Sequence, residues 1–153
     1  MYKRQAIDIY GSLNASLAAF AATLFYPGVP LIYTGQEIEW NIQIPFFTNS
    51  VVNWNYGTST LEKYKKLMNA YTINEEFKTG SLNDYSSSDI ICINREIVGN
   101  SAWCLVNTRS VNSSFNLPLE LQNFSGINLL DGSSFVVSGN TISMAPFETI
   151  VFK

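Results

Sequence analysis

Glu37 and Glu39 stand two residues apart just beyond a short apolar run, Leu31, Ile32 and Tyr33, and Trp40 follows them. Paired carboxyl groups are the usual equipment of general acid and base chemistry, and on an extended segment a spacing of two turns both side chains to one face. Tyr33 and Trp40 add flat rings of the sort that stack on the apolar face of a sugar ring. Tyr33, Glu37 and Trp40 are therefore the candidate contact residues. The other two tryptophans are expected to be structural: Trp103 alternates with Cys104 inside a strand-like run, and Trp54 packs between a loop and the helix that follows it. The sequence holds no cluster of oxygen ligands, so no metal site is expected.

A helix, a strand and a loop in succession must position these residues. Over 12–25, Leu13, Leu17, Phe20, Ala21 and Leu24 fall on one helical stripe, while Ala15, Ala18, Ala19 and Ala22 keep the other side small. Such a helix is built to be packed on more than one side. Pro27 and Gly28 end it, and 31–33 is too short for another helix, which predicts a brief buried strand. Residues 38–58 have no sustained period, and Trp40, Pro45, Phe46, Phe47 and Trp54 mark a long loop anchored by aromatics. Ser59 and Glu62 have the spacing of a capping box. Leu61, Tyr64, Leu67, Met68 and Tyr71 then form one apolar helical face, which leaves Lys63, Lys65 and Lys66 as a solvated surface.

Beyond Lys78 the texture changes to short alternating runs. Strands are predicted at 81–85, 90–98, 102–108, 114–117, 126–130, 134–137, 141–144 and 148–152, with turn signals at Gly99-Asn100, Asp131-Gly132, Gly139-Asn140 and Ala145-Pro146. Strands at this spacing indicate an antiparallel sandwich of Greek-key type, so the fold class is α+β with a boundary between residues 78 and 79. Cys92 and Cys104 lie on consecutive strands of one hairpin. Symmetric pairing sends their sulfurs to opposite faces and predicts free thiols, whereas a slipped register would permit a disulfide.

With 153 residues, 46% apolar and 14% aromatic, the chain can bury one substantial core, or one core and an appendage. Its net charge of -3 offers no footprint for phosphate backbones or anionic membranes, so neither nucleic acid nor membrane is an expected partner. The basic start and the alanine and leucine run imitate a signal peptide. Asp8, Gly11, Ser12 and Asn14 interrupt the apolar part and Pro27 stops it early, so export through this segment is not expected and the compartment stays open. Asn14, Asn112 and Asn123 begin Asn-x-Ser sequons, which matter only in a eukaryotic secretory pathway.

Pro27, Gly28, Pro30, Ile32, Tyr33, Gly35 and Glu37 resemble the eighth barrel strand of the alpha-amylase family of glycoside hydrolases. The likeness continues in order. Ile44-Pro45-Phe46-Phe47 and Val52-Asn53-Trp54 are similar to a loop that in the family ends in Ile-Asp-Trp, with Asn53 departing from the Asp. Tyr64-Lys65-Lys66-Leu67 looks like the last barrel helix. Leu129 to Gly132, Gly139 to Ile142 and Ala145 to Glu148 resemble the closing strands of the family's small β-domain.

The resemblance implies a C-terminal portion: two helices left from a (β/α)8 barrel, then the sandwich. It implies an α-glucan, starch or maltooligosaccharide, as the substrate of the intact enzyme. It also implies that the catalytic carboxylates, one of them in an Asn-His-Asp motif, sit on earlier strands. This chain has no histidine, and neither Glu37 nor Glu39 matches a catalytic position, so no residue here is expected to be catalytic and the chain alone is expected to be inactive. No cofactor is expected, and calcium in the intact enzyme is left open. The alternatives are a stand-alone carbohydrate-binding sandwich module and an unrelated α+β interaction protein. A single barrel strand cannot close a barrel, so the first 78 residues are expected to pack onto the sandwich, or to self-associate through the helix at 12–25.

Overall fold

Gly11 and Ser12 split the N-terminal apolar stretch into two helices. Gly11 closes α1 (Ala6–Tyr10), which the sequence pattern had not announced, and the Ser12 hydroxyl accepts the Ala15 amide at 3.1 Å to open α2 (Leu13–Phe25). The computed structural model describes residues 2–3, 5–45 and 47–153. Met1 and Arg4 of the basic start and Phe46 of the aromatic loop lie outside them.

Residues 31–33 form no strand. Leu31 is 84% exposed, and the backbone goes straight into a 3₁₀ turn, Gln36–Ile38. The expected buried strand needs parallel neighbours to hydrogen-bond its two edges, and none runs beside it among the described residues. A two-residue ladder joins β1 (Tyr2–Lys3) to β2 (Ile44–Pro45). The helix α3 (Thr58–Ile73) begins two residues earlier than the capping box requires: Gly57 is its N-cap, Ser59 is already inside it, and Glu62 pairs with Lys65 at 2.7 Å. Tyr64, Leu67 and Ala70 are buried, and the three lysines face water as predicted. Trp54 does not pack between loop and helix; it is 55% exposed.

A short helix, α4 (Glu75–Thr79), leads into the β half. The strands β3 (Ser81–Asp84), β4 (Ile90–Ile97), β5 (Asn100–Asn107) and β10 (Thr149–Phe152) make one antiparallel sheet in the order β10-β5-β4-β3. Two ribbons cover it, β6 (Ser113–Asn116) with β9 (Thr141–Met144) and β7 (Ser125–Ile127) with β8 (Ser134–Val136). The pairs nest, β5 with β10 outside β6 with β9 outside β7 with β8, as one long hairpin rolled onto itself. All eight predicted strands are present, with ends moved by no more than a few residues. Asn107, fully buried, holds the roll closed: its amide nitrogen donates to the carbonyls of Val111, Met144 and Ala145.

The large sheet has a core on each side. Helices α2 and α3 and Phe77 pack with Ile93, Ala102, Cys104, Val106 and Val151 on one face. On the other, Ile90, Cys92, Trp103, Leu105 and Phe152 meet Phe115 and Met144 of the ribbons and Leu121 and Val137 of the chain beside them. Three side-chain links tie the helical layer to the sheet. Arg95, almost fully buried, donates to the Gly80 carbonyl from Nε (3.0 Å) and Nη2 (2.7 Å), and to the Phe25 carbonyl from Nη1 (3.2 Å). Phe25 is the last residue of α2, so the guanidinium sits at the negative end of that helix. The Tyr26 hydroxyl donates to Asp84 at 2.7 Å, and Lys153 approaches buried Glu76 at 3.7 Å.

Candidate functional site

Gly57 explains how the segment from Tyr33 to Trp40 is held. Its φ of +58 is a left-handed conformation that suits glycine, and a Cβ there would collide with the Ile38 carbonyl oxygen. The start of α3 can therefore press directly against the 3₁₀ turn. Ile38 is buried beneath it, and the Thr60 hydroxyl, fully buried in the first turn of α3, donates to Glu39 Oε2 at 3.0 Å. Gly35 does the same on the other side, where any side chain would strike Trp40.

Gln36 organises the polar part. Its side-chain oxygen accepts the Tyr33 amide at 3.2 Å, and its nitrogen donates to the Tyr64 hydroxyl at 3.1 Å. Burial raises the Tyr64 phenol above its ordinary pKa, with hydrogen bonds from Gln36 and Ser16 acting the other way. Phe20 of α2 lies against the Tyr64 ring at 4.7 Å. Gln5 reaches across from the N-terminus to the Thr34 carbonyl at 3.4 Å. Neither Gln36 nor Gln5 stood out in the sequence, because a glutamine hub carries no spacing signature.

The predicted contact residues behave differently from one another. Trp40 is buried rather than displayed, its ring edge-on to Tyr56 at 5.8 Å, so neither face is available for stacking. Tyr33 and Glu37 are half-buried. Glu37 and Glu39 do not share a face of a strand: Glu37 is inside the 3₁₀ turn and Glu39, at φ +61, caps it in the left-handed region. Glu39 accepts the Thr60 hydroxyl through Oε2, which ties it to the start of α3 rather than to Glu37. No group of three metal-ligating side chains occurs among the described residues.

Three buried polar atoms of this neighbourhood have no hydrogen-bond partner among the described residues: Gln5 Oε1, Glu37 Oε2 and Trp40 Nε1. Stranded polar atoms are costly, about 1–3 kcal/mol each, and native folds carry few. The segment thus holds unmet valence for hydrogen bonding, both donor and acceptor, at the place where the sequence led one to expect barrel neighbours. The free thiols follow the sequence reading: Ile93 pairs with Cys104 and Cys92 with Leu105, a one-residue offset that puts the two sulfurs in different cores. Burial pushes the Cys92 thiol up to about 12.

No model of a protein family and no curated protein sequence matches this chain. Solved structures do. The alpha-amylase of Geobacillus thermoleovorans, solved with acarbose, superposes at TM-score 0.79 and 15% identity over 95% of this chain and 34% of its own. An Anoxybacillus alpha-amylase gives 0.74 at 17% identity, over 92% and 31%. The trehalulose synthase of Pseudomonas mesoacidophila gives 0.71 at 16%, over 97% and 41%. The chain spans about a third of the length of the enzymes it matches. At such identities the likeness concerns architecture alone, and the architecture is the mixed α+β fold of the C-terminal portion of alpha-amylase-type enzymes.

Proposed function

We propose that this chain is the C-terminal part of an amylase-type glycoside hydrolase acting on α-glucans, and that it shapes and stabilises the catalytic unit without supplying the reacting carboxylates. The division at residues 78 and 79 into a barrel-end portion and a sandwich portion belongs to the same proposal. The observation that carries it is the cluster of stranded atoms on Gln5, Glu37 and Trp40, in a segment whose expected strand has no neighbour to pair with. Those features are what a barrel edge looks like when the rest of the barrel is elsewhere. Retaining glycosidases need two carboxyl groups about 5 Å apart across the scissile bond. Here Glu39 is committed to Thr60 and Glu37 is wedged in a turn.

The test is turnover. The purified chain is expected to release no reducing sugar from soluble starch or maltotriose. Hydrolysis that persists through purification and disappears in Glu37→Gln or Glu39→Gln would overturn the proposal. The sequence encoded upstream of the Met1 codon supplies a second check: an in-frame barrel bearing the missing carboxylates supports it.

A second reading, a carbohydrate-binding sandwich, is favoured by a polar pocket on the β half. Isothermal titration with maltooligosaccharides tests it: that reading requires binding at millimolar or lower concentration by the β half, and the absence of binding would sink it.

A further inference from the structure

Along β4 the side chains alternate between the two cores, so Cys92, Asn94 and Glu96 share the face that looks toward the ribbons. Cys92 is deep in the apolar core, whereas Asn94 and Glu96 continue past its end. Their cross-strand neighbours are Asn83 and Trp103 beside Asn94, and Ser101 beside Glu96. Glu120 and Phe124, from the 3₁₀ turn Leu119–Leu121 and the chain after it, form the opposite wall. Together they enclose a pocket of about 240 Å³ at the open end of the sandwich.

Asn94 is 3% exposed, lines this pocket, and has a side-chain nitrogen with no acceptor. Its orientation is fixed by its neighbours. The Asn83 nitrogen donates to Glu96 Oε2 at 3.4 Å and to Asn94 Oδ1 at 3.1 Å. A carboxylate can only accept, so Asn83 must present its nitrogen, and Asn94 must then present its oxygen to Asn83. The Asn94 amide nitrogen is left over as a buried donor. Around it stand acceptors, the carboxylates of Glu96 and Glu120, the latter 3.5 Å from the Tyr85 hydroxyl, together with the hydroxyl of Ser101 and the rings of Tyr85 and Trp103, 5.5 Å apart.

We propose that this pocket is a binding subsite for one ring of a neutral sugar. Its occupant must offer an acceptor to Asn94 and donors to two carboxylates that line the same pocket, which a ring bearing several hydroxyl groups does. An anion is opposed by Glu96 and Glu120. The volume is below that of drug-sized ligand pockets and suits a single ring rather than a longer chain. Tyr85 and Phe124, both half-buried, supply apolar walls of the kind that contact the C–H face of a pyranose. That the sugar is an α-linked glucose rests on the function proposed above; that it is a neutral sugar rests on the pocket.

The test is titration of the isotope-labelled full chain with maltotriose, cellotriose, xylotriose and, separately, calcium chloride, following side-chain amide and indole signals by NMR. Maltotriose is expected to move the Asn94 amide and the Trp103 indole saturably at millimolar concentration. Glu120→Gln, an exposed change that leaves the fold alone, is expected to weaken binding about five- to tenfold, because the amide keeps one acceptor oxygen and loses only the charge assistance. Asn94→Asp, which turns the donor into an acceptor, should abolish it; if that variant does not fold, Glu120→Gln and Ser101→Ala still decide. Movement of the same signals by cellotriose or xylotriose and not by maltotriose keeps the sugar pocket and sinks the α-glucan reading. Shifts from maltotriose confined to the Tyr33–Trp40 segment keep that reading and overturn the pocket. Overturning it equally are a response of Asn94 to calcium alone, no response to any sugar, or unchanged affinity in Glu120→Gln.

Discussion

The sandwich and the segment from Tyr26 to Gly57 are built of similar residues and end up in opposite conditions. In the sandwich each of the eight strands finds its partner within the chain, and Phe152, Leu105, Cys104 and Val151 are wholly buried. In the segment, among the described residues, only the two of β2 are in a strand, Val29, Leu31 and Val51 are largely exposed, and Glu37 and Trp40 hold polar atoms that no described group meets. The lesson concerns where a sequence stores its instructions. Antiparallel hairpins pair with residues nearby in the chain, so a sandwich can be specified locally. A parallel barrel strand is specified by neighbours that lie far off.

That contrast can be broken or sharpened by mutation and by pH. Phe152→Ala is expected to cost about 3–5 kcal/mol in chemical unfolding, because it empties a site where three other rings converge. A loss under about 1 kcal/mol would mean the sandwich is not the stable unit. Next in size is Arg95→Met, at about 2–4 kcal/mol, since it strands the Phe25 and Gly80 carbonyls in the interior. Amide exchange should show α2 losing protection before the sheet does; equal loss in both would mean that the helical layer and the sheet open as one body.

The pH dependence is smaller over any one unit. Folded Cys92 keeps its proton until about 12, whereas an unfolded thiol releases it near 8.5. The raised value means that its contribution is complete below about 8.5 and is lost as pH climbs toward 12, by about 1.4 kcal/mol per pH unit. Cys104 acts in the same direction. Unfolding at pH 8, 9 and 10 should show the decline, and Cys92→Ala should remove about half of it, leaving the share of Cys104. Least of all should come from Leu31→Ala, within about 0.5 kcal/mol. A large effect there would show that the segment is packed in solution against something, a second copy included.

The strands were legible because alternation and paired turn residues report short-range pairing, and the helices at 12–25 and 58–73 because their apolar stripes are long. The free thiols were legible too, through the arithmetic of the hairpin. What misled was local and plausible. Ser59 and Glu62 have a capping-box spacing, but Gly57 alone permits the contact with Ile38, so the helix starts earlier. Residues 31–33 read as a strand because their composition fits one, and composition says nothing of whether a neighbour is present. Trp40 was marked by its position and proved buried, while Asn94, in the middle of an apolar strand, drew no notice. Its importance lies in an orientation forced by Asn83 and Glu96, which no spacing rule encodes.

The one-residue offset between Cys92 and Cys104 has a practical reach. Because the sheet itself stands between the two sulfurs, an oxidant acting on intact protein cannot join them. Any cross-linked species on a non-reducing gel therefore comes from molecules whose sheet had opened, and the chain carries its own dye-free counter of unfolding events.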